Sequence, residues 1–257
     1  MHESWTGSLW TITFKFRIDI CFQVSFLVET MPSVAKALRL PRTQTLARTI
    51  RSHTELSDAH LTPELRLHLI TPNCTLWRAP PSEAPFADPY WAFYWPGGQA
   101  IARYILDHPA AVRERRVLDL GAGSGACGIA AAVAGAQRVL LNDIDPVACV
   151  AARLNLQENL GSYLLLTLVM RHPVGFPWDL ILIGDMFYDE AFAAVLYPWL
   201  KSASAEGCSV LIGDPGRHGL SARIRSKLTK LEEYNLPEHC CLENRGFSSA
   251  VVWRLSL

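Results

Sequence analysis

Between Val117 and Gly125 the chain reads V-L-D-L-G-A-G-S-G: a short apolar run, an acid two residues before the first glycine, then glycines at every second position. A strand that enters three alternate glycines and leaves as a helix makes a loop where main chain closely approaches a bound molecule, which a side chain would hold off. No other feature restricts the fold as much. Loops of this kind join a strand to a helix in sheets whose parallel strands are connected by helical crossovers.

The pattern around the loop agrees. Arg116–Leu120 reads as a buried strand, Ser124–Ala134 as a small-residue helix, Arg138–Asn142 as a strand and Pro146–Asn159 as a helix. Leu164–Met170 and Leu180–Gly184 are further apolar runs, followed by a helix at Ala191–Leu200 and a strand at Ser209–Gly213. Apolar runs of about five residues separated by helices imply a parallel sheet covered on both faces. Two late segments, His239–Leu242 and Ser248–Leu255, read as an antiparallel edge pair. Upstream, Thr62-Pro63 predicts the cap and first position of a short helix over Glu64–Ile70. Residues 79–89 read as a loop, and Gly98–Asp107 carries apolar residues at helical spacing. The expectation is one Rossmann-like α/β domain over residues 58–257.

The amino terminus reads in two pieces. From Met31 to Thr54 the chain carries Lys36, Arg39, Arg42, Arg48 and Arg51, scattered Ser and Thr, and no acid. That composition predicts a mitochondrial transit or basic leader over residues 31–57; a solvated basic helix packed on the enzyme is the alternative. Glu3, Asp19 and Glu29 interrupt residues 1–30, which stay unassigned, and Met31 is a candidate start. The run Ile20–Val28 falls well short of the ~20 apolar residues a spanning helix needs, so no membrane span is expected.

Lys plus Arg and Asp plus Glu each number 24, which argues against a bulk electrostatic grip on nucleic acid. The seven cysteines form no C-x-x-C pair and stand beside no histidines at finger spacing, so no metal site is expected.

Two ligands compete for the glycine loop. Gly123, Gly125 and Gly128 spell G-x-G-x-x-G, as in dinucleotide sites. Asp119 tips the balance: a carboxylate there repels a pyrophosphate but suits the ammonium of a methionine moiety. The whole phrase resembles the first motif of class I methyltransferases, which implies S-adenosylmethionine held by Asp119, Gly121, Gly123 and Gly125. The next strand ends in N-D-I-D-P, where Asp143 suits the ribose hydroxyls and Asp145 suits the cap of the helix opened by Pro146. Trp95, in the phrase D-P-Y-W-A-F-Y-W-P-G-G-Q, is a candidate lid over the cofactor; ordinary core is the alternative.

The tip of the Leu180–Gly184 strand carries Asp185, Phe187, Tyr188 and Asp189, beyond the carboxyl end where ligands bind in open α/β sheets. A D/N-P-P-aromatic tetrapeptide, usual at this point in nucleic-acid amino methyltransferases, is missing. Negative charge beside aromatic faces suits an amine arriving as a cation. Asp185 and Tyr188 are the catalytic candidates and Phe187 a substrate contact, with Asp189 as helix cap. Asp214 and Arg217, in G-D-P-G-R on the same rim, are candidate protein-substrate contacts.

Together L-T-P-E-L at 61–65, the aromatic phrase, V-L-D-L-G-A-G-S-G, N-D-I-D-P, G-D-M-F-Y-D-E and L-I-G-D-P-G-R resemble the electron transfer flavoprotein beta subunit lysine methyltransferases, over roughly residues 60 to 254. The resemblance implies a class I methyltransferase fold, with a seven-stranded, mostly parallel sheet, an antiparallel carboxyl-terminal edge and helices on both faces. It also implies a mitochondrial matrix enzyme that methylates lysines of the flavoprotein's beta subunit and so modulates electron transfer from dehydrogenases. Another protein or a small amine is the alternative acceptor, and a non-catalytic cofactor-binding module is the third reading. The adenine-contacting asparagine expected between residues 163 and 178 is missing.

Overall fold

The computed structural model describes residues 40–80, 83–161, 166–169, 178–244 and 246–256. The expectations for residues 1–39 and for an adenine contact near Met170 and Arg171 lie outside them.

In chain order the elements are α1 (Leu40–His53), β1 (Glu55–Ser57), β2 (Leu67–Leu69), α2 (Pro96–Asp107), β3 (Arg116–Leu120), α3 (Ala126–Val133), β4 (Arg138–Asn142), α4 (Pro146–Leu160) and β5 (Leu166–Val169). They continue with β6 (Leu180–Gly184), α5 (Glu190–Ala205), β7 (Ser209–Asp214), α6 (Ala222–Arg225), β8 (Leu228–Asn235), α7 (Glu238–Glu243) and β9 (Ser249–Leu255). Seven strands form one sheet in the order β5-β4-β3-β6-β7-β9-β8. The first five run parallel, while β9 lies antiparallel to both β7 and β8.

Successive side chains of a strand point to opposite faces, and here both faces are covered. Val117, Val139, Leu180 and Leu211 pack with Ile101 and Ile105 of α2 and Ile129 of α3. Their neighbours Leu118, Leu140, Ile181 and Val210 pack with Leu196 and Leu200 of α5 and Ile224 of α6. Burial on two faces is why these strands read as unbroken apolar runs and not as alternation.

Three expectations need correction. Glu64–Ile70 is not a helix. Leu65, Leu67 and Leu69 are all buried, and residues 67–69 pair antiparallel with β1. The period-two spacing of the leucines overrides the Thr62-Pro63 start signal, and the Leu65 N–H closes a turn onto the Thr62 carbonyl at 2.9 Å. Next, His239–Leu242 lies in α7, and the edge partner of β9 is Leu228–Asn235. That strand reads L-T-K-L-E-E-Y-N, mostly polar and half exposed, as suits a strand edge protected by charge.

The third concerns the leader. Its second half is the folded helix α1, whose Ile50 is fully buried among Ile70, Leu76, Trp91 and the α4 residues Val150 and Leu154. The domain therefore extends at least to Leu40, beyond the expected limit at residue 58. Ile50→Ala is expected to cost about 2–4 kcal/mol of unfolding free energy, as buried Ile truncations do. Chemical unfolding checks this, and a cost below about 0.5 kcal/mol would mean that α1 does not pack on the domain in solution.

Candidate active site

The strand order reverses between β3 and β6: β4 and β5 lie on one side, β7 and β9 on the other. Open α/β sheets bind ligands in the crevice beyond the carboxyl ends at such a switch point. The chain leaves β3 there through Gly121, Gly123 and Gly125, with φ of +67°, +51° and +82°. These are left-handed values that favour glycine.

Two acids organise the loop. Asp119 is buried, and its Oδ2 accepts the Gly128 N–H at 2.8 Å. Burial lifts its carboxyl to about 7, with the nearby Asp143 charge adding to the rise. Asp143, at the end of β4, accepts the Gly123 N–H at 2.8 Å and the Asp145 N–H at 2.9 Å. Burial raises its carboxyl too, against the pull of those backbone donors. Asp145 is the cap of α4, as expected, accepting the Val147 N–H at 2.8 Å, while Asp143 faces the glycine loop. Between them Ile144 is 43% exposed. Sequence reasoning passed over this residue, which sets an exposed apolar side chain beside the acid suited to the ribose.

The acceptor side assembles from three distant segments. Trp95 is the N-terminal boundary of α2, and Pro96 sets its first turn. Gly97 and Gly213 meet back to back: a Cβ on Gly97 would lie 2.0 Å from the Gly213 carbonyl oxygen, and one on Gly213 would lie 2.1 Å from that of Gly97. Gly184 also faces α2, less tightly: a Cβ there would lie 3.0 Å from the Gly98 Cα. The phrases W-P-G-G, G-D-M-F-Y-D and G-D-P-G-R thus meet at one point, which accounts physically for three glycine-bearing phrases so far apart in sequence.

Asp185 follows Gly184 in the left-handed region, with φ +59°, a conformation that surrounding contacts must hold for a non-glycine residue. It is 7% exposed. Its Oδ2 accepts the Gly98 N–H at 2.9 Å, from the first turn of α2. Its Oδ1 accepts both Nε and Nη2 of Arg217, at 2.9 and 2.8 Å. Burial pushes the carboxyl up, while the guanidinium and the helix-end N–H pull it back. Asp185 is therefore not an isolated charge awaiting an amine. The Arg217 guanidinium lies between two rings, 5.5 Å from the centroids of both Trp95 and Phe247. Asp214 turns the loop by accepting the Gly216 and Arg217 N–H groups at 2.7 and 2.8 Å, and its buried Oδ2 has no hydrogen-bond partner. Burial raises this carboxyl to about 6.

Phe187 does not contact substrate. It is fully buried in the core beneath the sheet, with Ile183, Leu196 and Leu220, and its carbonyl sits against Gly219. Tyr188 stacks on Phe192 with ring centroids 5.4 Å apart, and burial raises its hydroxyl, with Asp189, Tyr90 and Asp143 adding to the rise. It therefore borders the crevice from the acceptor loop. Asp189 caps α5 by accepting the Phe192 N–H at 2.8 Å. Trp95 donates its indole N–H to the Tyr90 carbonyl at 3.0 Å, and its contact with Arg217 sets it on the acceptor side of the crevice. Phe247 was missed because no local pattern marks an aromatic residue as facing a distant arginine.

Among the described residues no cluster of three His, Cys, Asp or Glu side chains could hold a metal, and no helix is long and apolar enough to cross a membrane. The described cysteines are free thiols.

The arrangement fits S-adenosylmethionine. Positive-φ glycines open the main chain to the ligand, a buried acid suits its ammonium, and a fixed acid suits its ribose. A cation arriving beside Asp119 would pull the raised carboxyl back down. Binding near pH 6 is accordingly expected to release about one proton per site, and the release should fade above pH 8. The sign for the free protein is the reverse: the fold holds this proton more tightly than the unfolded chain. The stability Asp119 contributes is full below the usual carboxylate range and is lost as pH rises through about 7. Calorimetry in buffers of different ionisation enthalpy counts the protons; none at pH 6 would mean that Asp119 does not meet the ammonium.

A family profile described as ribosomal protein L11 methyltransferase (PrmA) matches residues 103–189. The electron transfer flavoprotein beta subunit lysine methyltransferase of Mus musculus is 48% identical over 208 residues, covering 79% of this chain and 82% of the relative. The Caenorhabditis elegans homolog of that methyltransferase is 39% identical over 238 residues, covering 84% of this chain and 98% of the relative. Among solved structures, magnesium protoporphyrin IX methyltransferase from Synechocystis PCC 6803 with bound SAM superposes with a TM-score of 0.47 at 18% identity, over 63% of this chain and 80% of the other.

Proposed function

Because this chain belongs to the electron transfer flavoprotein beta subunit lysine methyltransferase family, we propose that it transfers methyl groups from S-adenosylmethionine to lysine side chains of an electron transfer flavoprotein beta subunit. The observation that carries the reading is the meeting, across the β3–β6 switch point, of the glycine loop with the Asp185–Arg217 pair. S-adenosylmethionine supplies an electrophilic methyl group on a sulfonium.

The protein's residues supply position. The loop N–H groups and Asp119 would hold the amino-acid end, Asp143 would accept from the ribose, and Ile144 would offer an apolar face to the adenine. The acceptor lysine must lose a proton before its nitrogen attacks, so the enzyme's main task is to hold a neutral amine in line. With three N–H groups from Gly98 and Arg217 on its oxygens, Asp185 keeps at most about one of its roughly four acceptor sites, on Oδ2, for an amine N–H, which would direct the nitrogen lone pair toward the methyl. Tyr188 walls the same loop.

A protein acceptor, and not a nucleic acid, is supported by the balanced charge and by G-D-M-F-Y-D standing where a D/N-P-P-aromatic tetrapeptide would otherwise be. The acid-free stretch that carries Lys36 and Arg39 ahead of the packed helix α1 supports a mitochondrial matrix location, with any removable leader ending before that helix. Methylation keeps the lysine charge but removes N–H donors and adds bulk, and that change on the flavoprotein's surface would modulate electron transfer from its dehydrogenases.

The test is incubation with S-adenosylmethionine and recombinant electron transfer flavoprotein beta subunit, then intact mass and peptide mapping. The expected result is added methyl groups on lysine, reduced by at least about 100-fold in Asp185→Ala while cofactor binding persists. Transfer to small amines but not to the flavoprotein subunit would discard the substrate and keep the chemistry.

A further inference from the structure

We infer that Arg217 is a positioning residue which cancels the charge of Asp185, so that the acceptor amine beside it is bound without its proton. The inference rests on the lysine methyltransferase reading of the same site.

Four elements converge on this pair. Asp185 comes from the tip of β6, Arg217 from the loop after β7, the Gly98 N–H from the start of α2, and Phe247 from the approach to β9. Both side chains are largely shielded from water, at 7% and 14% exposure, so neither charge is screened as it would be on the surface. A lone carboxylate here would stabilise an ammonium and raise its pKa, trapping the acceptor in its unreactive form. With two guanidinium N–H groups and a helix-end N–H on its oxygens, Asp185 presents a nearly neutral acceptor that still orients one N–H. Trp95 and Phe247 each set a ring centroid 5.5 Å from the guanidinium, cation–π contacts that favour its place beside Asp185.

The other titratable groups around the pair are few. Asp214 lies on the same loop as Arg217 and is raised in part by the Asp185 charge. From α3 the buried Cys127 thiol feels both Asp185 and Asp119, and burial pushes it far up, so it stays uncharged. Among the described residues Arg217 is the cation paired with Asp185, and removing it leaves carboxylates to face the amine.

The test is the pH profile of kcat for methyl transfer to recombinant electron transfer flavoprotein beta subunit, since kcat reports groups in the bound complex. Arg217→Gln is expected to move the acidic limb upward by about one pH unit, a tenfold loss of kcat at a fixed pH below the limb. Arg217→Lys, which keeps the charge, should leave the limb nearly in place. Asp185→Asn should move it the other way, because the guanidinium charge then stands uncompensated beside the amine. If Arg217→Gln does not fold, the downward shift in Asp185→Asn carries the test. A loss of activity equal at every pH, with neither limb moved, overturns the inference while leaving lysine methylation intact. No transfer by the unaltered enzyme, despite cofactor binding, overturns the functional reading and this inference with it.

Discussion

Gly97→Ala is expected to lower methyl transfer by at least about 100-fold and unfolding free energy by about 3 kcal/mol or more. The new methyl group would sit 2.0 Å from the Gly213 carbonyl oxygen and 2.7 Å from Asp185 Oδ2. Both obstacles are held fast, one in the β7 backbone and the other by its hydrogen bonds to Gly98 and Arg217. Relief requires the first turn of α2 to lift from the sheet, and that turn carries the N–H that fixes Asp185. A displacement of about 1 Å at a reacting group is enough for a loss of this size. The neighbouring Gly98→Ala is the control, since its Cβ would meet nothing closer than 3.7 Å, and alanine favours a helix by up to about 1 kcal/mol. Thermal unfolding and kcat on both variants decide the matter. Equal melting temperatures for the two would mean that the close approach of α2 to β7 does not exist in solution.

Asp143→Ala is expected to weaken S-adenosylmethionine binding by about 10- to 100-fold, the loss of one or two charge-assisted hydrogen bonds. Asp143 holds the glycine loop in shape through the Gly123 N–H, so its removal costs both a ligand contact and the loop's preorganisation. Asp145→Ala gives the contrast. It removes a helix cap worth about 1 kcal/mol of stability and should leave affinity nearly unchanged. Calorimetric titration of the two variants separates the roles; a larger affinity loss for Asp145→Ala would exchange them.

The glycine loop, Asp119 and the paired acids of β4 were legible in sequence because each obeys a short-range rule. A strand tip, a positive-φ turn and a helix start occupy nine consecutive residues, and Asp145 lies two residues from the N–H it caps. Parallel strands were legible for the same reason, their boundaries falling within a residue or two of the apolar runs. What misled were places where short-range signals competed. Thr62-Pro63 announces a helix, but the buried leucines at 65, 67 and 69 run through a turn into β2, which pairs with β1. Phe187 lies in an acidic aromatic loop that invites a substrate role, yet loop direction turns it fully into the core.

By itself, then, the sequence determined the alternation of parallel strands and helices from β3 to β7, the glycine loop and the acids that stand beside it. Burial on both faces and glycine at alternate positions leave their mark residue by residue. The tertiary structure alone decided that Asp185 is paired with Arg217, thirty-two residues further along the chain, and that Trp95 and Phe247 hold the guanidinium. It also decided that α1 belongs to the domain and that Leu228–Asn235 completes the sheet. The reason is the same in each case: these outcomes depend on which distant surfaces meet when three glycine-bearing turns pack together, and no local periodicity encodes a contact made across the fold.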